Sequence, residues 1–243
     1  MNSVTLAVAL AVVTPASAQD ALREAAERWG RGDAAGASEA YETAALQGAD
    51  GPDVYFNLGT AALRAGDVGR ATWALLTARR LAPWDDDIAF NLELARRENA
   101  DSVAGGAEPA WLPWALRLPR APLQWLAYGL FLAFCALLFV RGLRGPVEGL
   151  AAWVVRTGLG ALFAAVTAGA VEVTAGAPQA VVVVREATVR SADRADGPEA
   201  FRVHAGLTVR PMAKPRAGMM RIRLANGLDG WVEQAAVRVV GAR

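Results

Sequence analysis

From Leu123 to Val140 the chain runs eighteen residues without a charged side chain. A bilayer core takes about 20 mostly apolar residues in a helix, and Ala121 and Pro122 extend the uncharged run to twenty. Ten residues of the run are Leu, Phe or Val, together about −3 to −6 kcal/mol on the insertion scale. Buried helices of soluble domains are seldom so long and so free of charge. The run therefore reads as a membrane span (123–140), with Cys135 a lipid- or helix-facing apolar residue.

A second apolar stretch, 150–173, holds Arg156 near its start and Glu172 near its end. Near an end of a span an arginine can snorkel to the interface. Gly158, Gly160, Ala161, Ala164, Ala165, Ala168 and Gly169 are small enough to let this helix approach the first closely. The two are expected to insert as a hairpin. Arg141 and Arg144 lie in the turn between them (141–149), and with Arg156 they mark that turn as cytoplasmic.

The N-terminus reads as an address. Val4 to Val13 is apolar, Thr14-Pro15 breaks it, and Ala16-Ser17-Ala18 supplies an A-x-A-like cleavage site. A secretory signal peptide over 1–18 is expected, and cleaved or not it leads the adjoining segment out of the cytoplasm. The hairpin then returns the C-terminus to the same side.

Residues 19–99 carry a repeat. Gly32-Asp33 and Gly66-Asp67 lie 34 residues apart, and the offset also pairs Ala37 with Ala71, Tyr41 with Leu75 and Ala44 with Ala78. Two helices and a turn in 34 residues is the tetratricopeptide period. In the better copy, Pro52 to Asp85, the signature positions are Tyr55, Leu58, Gly59, Gly66, Ala71, Leu75, Ala78 and Pro83. Residues from Ile88 begin a capping helix, with an aspartate of Asp85-Asp86-Asp87 at its N-cap. Such units bury their apolar faces only by stacking. Two repeats and a cap are near the lower limit, so a partner or self-association is expected to help. Residues 100–122 read as a linker with Gly105, Gly106 and Pro109, followed by an interfacial belt of Trp111, Trp114, Arg117 and Arg120.

Residues 180–243 read as β-structure. The stretches that carry this are Val181 to Val184, Ala187 to Arg190, Phe201 to Val209 around Gly206, Arg221 to Leu224, the Asn226-Gly227 turn, Gly230-Trp231-Val232, and Val237 to Val240. The order resembles a bacterial SH3-like barrel, through its "VRS" opening at Val189-Arg190-Ser191 and its "GWV" strand. Its signature residues here are Arg190, Gly206, Gly227, Gly230 and Trp231. Met219-Met220 stand where relatives of that barrel carry an aromatic. Trp231 is expected in the core, and Val237 to Val240 is expected to close the barrel.

The fold class is thus multidomain: α-helical tetratricopeptide repeats, a two-helix transmembrane hairpin and a small C-terminal SH3-like β-barrel. Signal peptide, repeats, hairpin and barrel in this order resemble BatE-like proteins of the bacterial Bat (aerotolerance) group. The resemblance is carried by Tyr55-Phe56-Asn57-Leu58-Gly59, Pro83-Trp84-Asp85-Asp86-Asp87, Phe90-Asn91-Leu92 and the stretch from Leu224 to Val232. It implies a non-enzymatic component of the inner membrane and cell envelope, with both soluble parts periplasmic. It also implies work beside von Willebrand A-domain membrane proteins and a MoxR-type ATPase. The competing expectation is an envelope sensor whose barrel grips peptidoglycan and whose hairpin only anchors.

Other classes find little in the residues. A net charge of +1 makes no electrostatic case for nucleic acid. One cysteine forbids an intrachain disulfide, and one histidine, His204, excludes a zinc site built on several His and Cys ligands. His204, beside Gly206 at a turn, is expected to be structural or solvating. No catalytic residue, cofactor site or metal site is expected.

Overall fold

The computed structural model describes residues 16–83, 85–101, 120–144, 149–176 and 178–241. The expected signal segment lies outside the described residues up to Pro15, and Ala16 to Ala18 form the first turn of a helix. Trp84 and most of the expected linker and belt, including Trp111, Trp114 and Arg117, also lie outside them.

Five helices come first: α1 (Ala16–Gly30), α2 (Ala34–Leu46), α3 (Pro52–Arg64), α4 (Val68–Leu81) and α5 (Asp86–Arg97). The 34-residue period recurs in the backbone. Gly32 and Gly66 both turn the chain at φ 79°, a value open to glycine and costly for residues with a Cβ. Asp33 then N-caps α2 by accepting from Gly36 N at 2.9 Å, and Asp67 caps α4 by accepting from Arg70 N at 3.0 Å. These caps satisfy amides that a helix start leaves open. Asp85 does the same for α5, accepting from Asp87 N and Ile88 N, and Asp86 and Asp87 add favourable charge to its first turn.

Packing obeys the repeat. Leu58, Ala71, Leu75 and Ala78 are fully buried. A Cβ on Gly59 would sit 2.6 Å from Leu75 Cγ, so α3 and α4 touch only because Gly59 has none. Pro83 lies exposed, just past the Ala82 C-cap of α4. Every residue of α4 from Ala71 to Ala78 is buried, as for a helix covered on all sides.

Next come two long helices, α6 (Arg120–Arg144) and α7 (Leu150–Gly176). Each holds a twenty-residue window apolar enough to cross a membrane, Gln124–Leu143 and Leu150–Gly169. They pack antiparallel: a Cβ on Gly158 would meet Phe134 at 2.9 Å, and one on Gly160 would meet Leu130 at 3.6 Å. Ala161 and Ala164 are buried beside them, whereas Gly169 meets nothing. Close packing through small residues thus holds for the first half of α7. Cys135 is exposed on α6. Arg141 and Arg144, expected in the turn, continue α6, because nothing from Gln124 to Arg144 interrupts helical propensity except Gly129 and Gly142.

The C-terminal part is one antiparallel sheet of seven strands: β1 (Ala180–Val182), β2 (Glu186–Arg190), β3 (Glu199–His204), β4 (Thr208–Pro211), β5 (Met219–Arg223), β6 (Asp229–Glu233) and β7 (Val237–Val239). Their order is β3-β2-β6-β5-β4-β1-β7. Val182, Val189, Val203, Val209, Met220, Ile222 and Val232 fill the core on the inner face. The expected closure is not made. β7 pairs with β1, and β3 and β7 remain the two ends of an open order. α4 packs on β1 and reaches the β7 end of the sheet, where Trp73 donates to Val239 O.

Trp231 is half-buried on the outer face, not in the core. Period-two alternation sends Gly230 and Val232 inward, and a Cβ on Gly230 would lie 2.5 Å from Val189 Cγ1. Between β4 and β5 a two-residue turn places Ala217 at φ 49° and Gly218 at φ 75°. Turns with two positive φ values favour Asn-Gly. Ala217→Asn is expected to raise stability by about 1 kcal/mol, read as a higher midpoint in urea unfolding.

Candidate interaction site at the helix–sheet junction

The helices and the sheet share a core. Leu58, Trp73, Leu75, Leu76 and Leu92 from the helices pack with Val181 and Val240 from the sheet. β1 is buried at all three of its residues, as a strand covered on both faces must be. Gly69 makes the approach possible: a Cβ there would meet Val183 Cα at 2.8 Å and Val182 O at 2.9 Å. Gly206 does the same from the other side, at φ 90°, with Val68 Cγ1 2.8 Å from its missing Cβ.

Polar contacts fix the register. Trp73 Nε1 donates to Val239 O at 3.2 Å, and Arg80 Nη1 donates to Val240 O at 3.0 Å. They occupy carbonyls at the outer end of the sheet, where unpaired groups would otherwise recruit another chain. Arg238 lies over the Trp73 ring at 4.0 Å and pairs with Glu42 at 2.5 Å. Glu42 also pairs with Arg70 at 3.4 Å. The charges suit this docking: residues 19–99 carry fourteen acidic and nine basic side chains, and residues 180–243 six and eleven. Opposite net charges favour approach and register.

An open groove of about 490 Å³ runs along this junction. Ala45, Leu46, Tyr55 and Trp73 form its helical wall, and Met220, Val237 and Val239 its sheet wall. Glu42, Asp50, Gln234 and Arg238 supply the polar rim. Leu46 stands 78% exposed at the mouth, and Tyr55 meets Trp73 edge-on at 5.8 Å. An apolar lining with a few placed polar groups can take an apolar side chain or a small apolar ligand. Nearby, burial raises the Tyr41 phenol above its ordinary value. A group raised in the folded state stabilises fully below its unfolded value and loses that contribution as pH rises through the folded one. Stability is therefore expected to fall above pH about 10, and Tyr41→Phe to lessen that fall in urea titrations.

Of the signature residues expected from sequence, Tyr55 alone lines the groove; Leu58, Gly59, Ala71, Leu75 and Ala78 pack beneath it. Gly66 and Gly227 serve turns at positive φ, and Pro83 lies outside. Arg190 donates to Gly197 O at 2.9 Å and sits beside Trp231 in the ladder, away from the groove. No motif singles out Glu42, Trp73 or Arg238: the first two fall outside the repeat's signature positions, and Arg238 is one residue of the last expected strand. Elsewhere on the helices Phe90 is 69% exposed, Arg64 lies over Trp29 at 5.2 Å and Asn91 Nδ2 donates to Thr60 Oγ1 at 2.9 Å.

A third contact pins the chain after α5. Asp101, expected in a flexible linker, accepts from His204 N at 2.6 Å and lies 2.7 Å from His204 Nδ1. It plugs the outer edge of β3, which gives His204 a structural place. Asp101→Ala is expected to speed hydrogen exchange at the His204 amide about tenfold or more, because hydrogen bonds to charged groups contribute about 1.5–3 kcal/mol. Mass-resolved exchange checks this.

The chain matches no family model, no curated protein and no solved structure.

Proposed function

We propose that the protein is a non-enzymatic scaffold of the bacterial inner membrane, in which tetratricopeptide-type helical repeats and an SH3-like sheet form one body that binds protein partners. The observation that carries this is the groove at the junction, walled by both parts, with Tyr55 and Trp73 on one side and Val237 on the other. The matching turns at Gly32 and Gly66 and matching caps at Asp33 and Asp67 support the repeat assignment. The contact between α4 and β1 supports the hairpin. Two parts that share a core lie on one side of a bilayer, so the chain between them crosses an even number of times. The apolar windows of α6 and α7 supply two crossings. The signal-like N-terminus favours the periplasm for that side, and the Bat-type reading puts the partner among membrane proteins there.

Photocrosslinking from position 46 in the full chain, followed by mild-detergent purification, tests this. A defined membrane-protein partner, lost on Val237→Glu, is expected. Recovery of the protein alone counts against the proposal. A reporter fused after Arg243 tests the topology, and a cytoplasmic signal there defeats the hairpin.

A further inference from the structure

The cations of the sheet are unevenly compensated. Arg194 pairs with Asp196, Arg202 with Glu186 and Glu199, Arg221 with Asp229, and Arg238 with Glu42. Arg185, Arg190, Arg210, Lys214, Arg216 and Arg223 form no ion pair among the described residues, and Arg190 is spent on the Gly197 carbonyl. The last four belong to the β4–β5 hairpin, and from Ala200 to Leu228 the sequence contains no Asp or Glu. Arg210 and Arg223 lie directly opposite one another in the ladder, both exposed. Like charges so placed weaken a sheet, and an external anion relieves them. The turn at Ala217-Gly218 is closed by paired backbone bonds between Arg216 and Met219 at 2.8 Å, so the tip is held in shape.

Chain length says where that anion is. α7 has 27 residues, or about 40 Å, the thickness of a bilayer with its headgroups. Three residues separate Gly176 from Ala180, a reach of at most about 15 Å. β4 is paired directly with β1, Val209 opposite Ala180. The hairpin thus hangs from the strand that emerges from the span, within one or two Debye lengths of the headgroups.

We infer that the β4–β5 hairpin docks on the anionic lipid headgroups of the bilayer that α6 and α7 span. The four cations bind phosphate-bearing headgroups through Coulomb attraction and hydrogen bonds. Docking holds the sheet, and with it the groove, at a set height and tilt above the membrane. This rests on the two-span reading.

The test uses the full chain with Cys135→Ser and Ala213→Cys, carrying a donor fluorophore at position 213. It is reconstituted into vesicles of phosphatidylcholine alone or of phosphatidylcholine with phosphatidylglycerol, each with a trace of headgroup-labelled acceptor. Higher energy transfer in the anionic vesicles, lost at high salt, is expected. Arg210→Gln, Lys214→Gln, Arg216→Gln and Arg223→Gln each lower the docked-to-free ratio about fivefold. Lys214→Gln with Arg216→Gln touches only the turn region and keeps the test valid if the strand substitutions disturb folding. Transfer indifferent to lipid charge, or unchanged in the turn variant, overturns the inference. So does a hairpin that answers only to an added acidic protein. Release of the parent protein by alkaline carbonate overturns the two-span reading and this inference together. Retention in the membrane with a lipid-indifferent signal overturns this inference alone.

Discussion

Replacing Trp73 with alanine is expected to lower the unfolding free energy by about 3–5 kcal/mol, the range for truncating a large buried aromatic. Four interactions go at once. The side chain is 7% exposed in the core shared by helices and sheet. It donates to Val239 O, it carries Arg238 on its face, and it takes the edge of Tyr55. Trp73→Phe keeps most of the burial and loses the donor, for about 0.5–1.5 kcal/mol. Urea unfolding of the full chain in detergent, followed by circular dichroism, reads both. A loss below about 1 kcal/mol for the alanine variant would mean that α4 does not carry the sheet.

The second large effect belongs to Gly69. Adding a side chain there drives a Cβ into Val182 O and the backbone of Val183 at 2.8–3.0 Å, atoms that no rotamer change can move aside. Gly69→Leu is expected to part α4 from β1 while leaving the helical repeats and the sheet folded. Overpacking of this kind costs about 1–3 kcal/mol or more. Hydrogen exchange should rise at Val181 to Val183 and stay slow at Ile222. Combined with Trp73→Ala, the cost should fall well short of additive, because both remove the same docking. Gly30→Ala is the control, since nothing lies within 4 Å of a Cβ there. Unchanged exchange at β1 in the leucine variant would refute the docking.

Why docking escapes a sequence reading is visible in these same residues. The repeat is written in local chemistry. A left-handed glycine at Gly66, a capping Asp67 and a Gly59 facing Leu75 each act within one helical hairpin, so their spacing alone places four helices. Strand alternation likewise marks β2, β5 and β6. Docking joins residues up to 166 positions apart, and no period connects them. Two signals nonetheless point to it. Ala71 to Ala78 runs eight residues without a charge in a helix that needs only one apolar face. Val181 to Val184 is apolar without alternation, the mark of a strand covered on both sides. The sheet of the same chain covers α4. Trp231 misleads for the opposite reason: its size points to the core, and its parity with Gly230 and Val232 sends it out. The site's polar rim, Glu42 with Arg238, has no sequence signature because an ion pair across two modules obeys no spacing.

The order of synthesis gives the shared core a further meaning. Trp73 and Val239 are 166 residues apart, which a ribosome making about 5–20 residues per second covers in about 8–33 s. Through that interval α6, α7 and the sheet must all be made before α4 is covered. The helical repeats therefore wait, partly bare, for the last strand to arrive. Completion of the body is a late event in biogenesis, because the strand that Trp73 meets is among the last residues made.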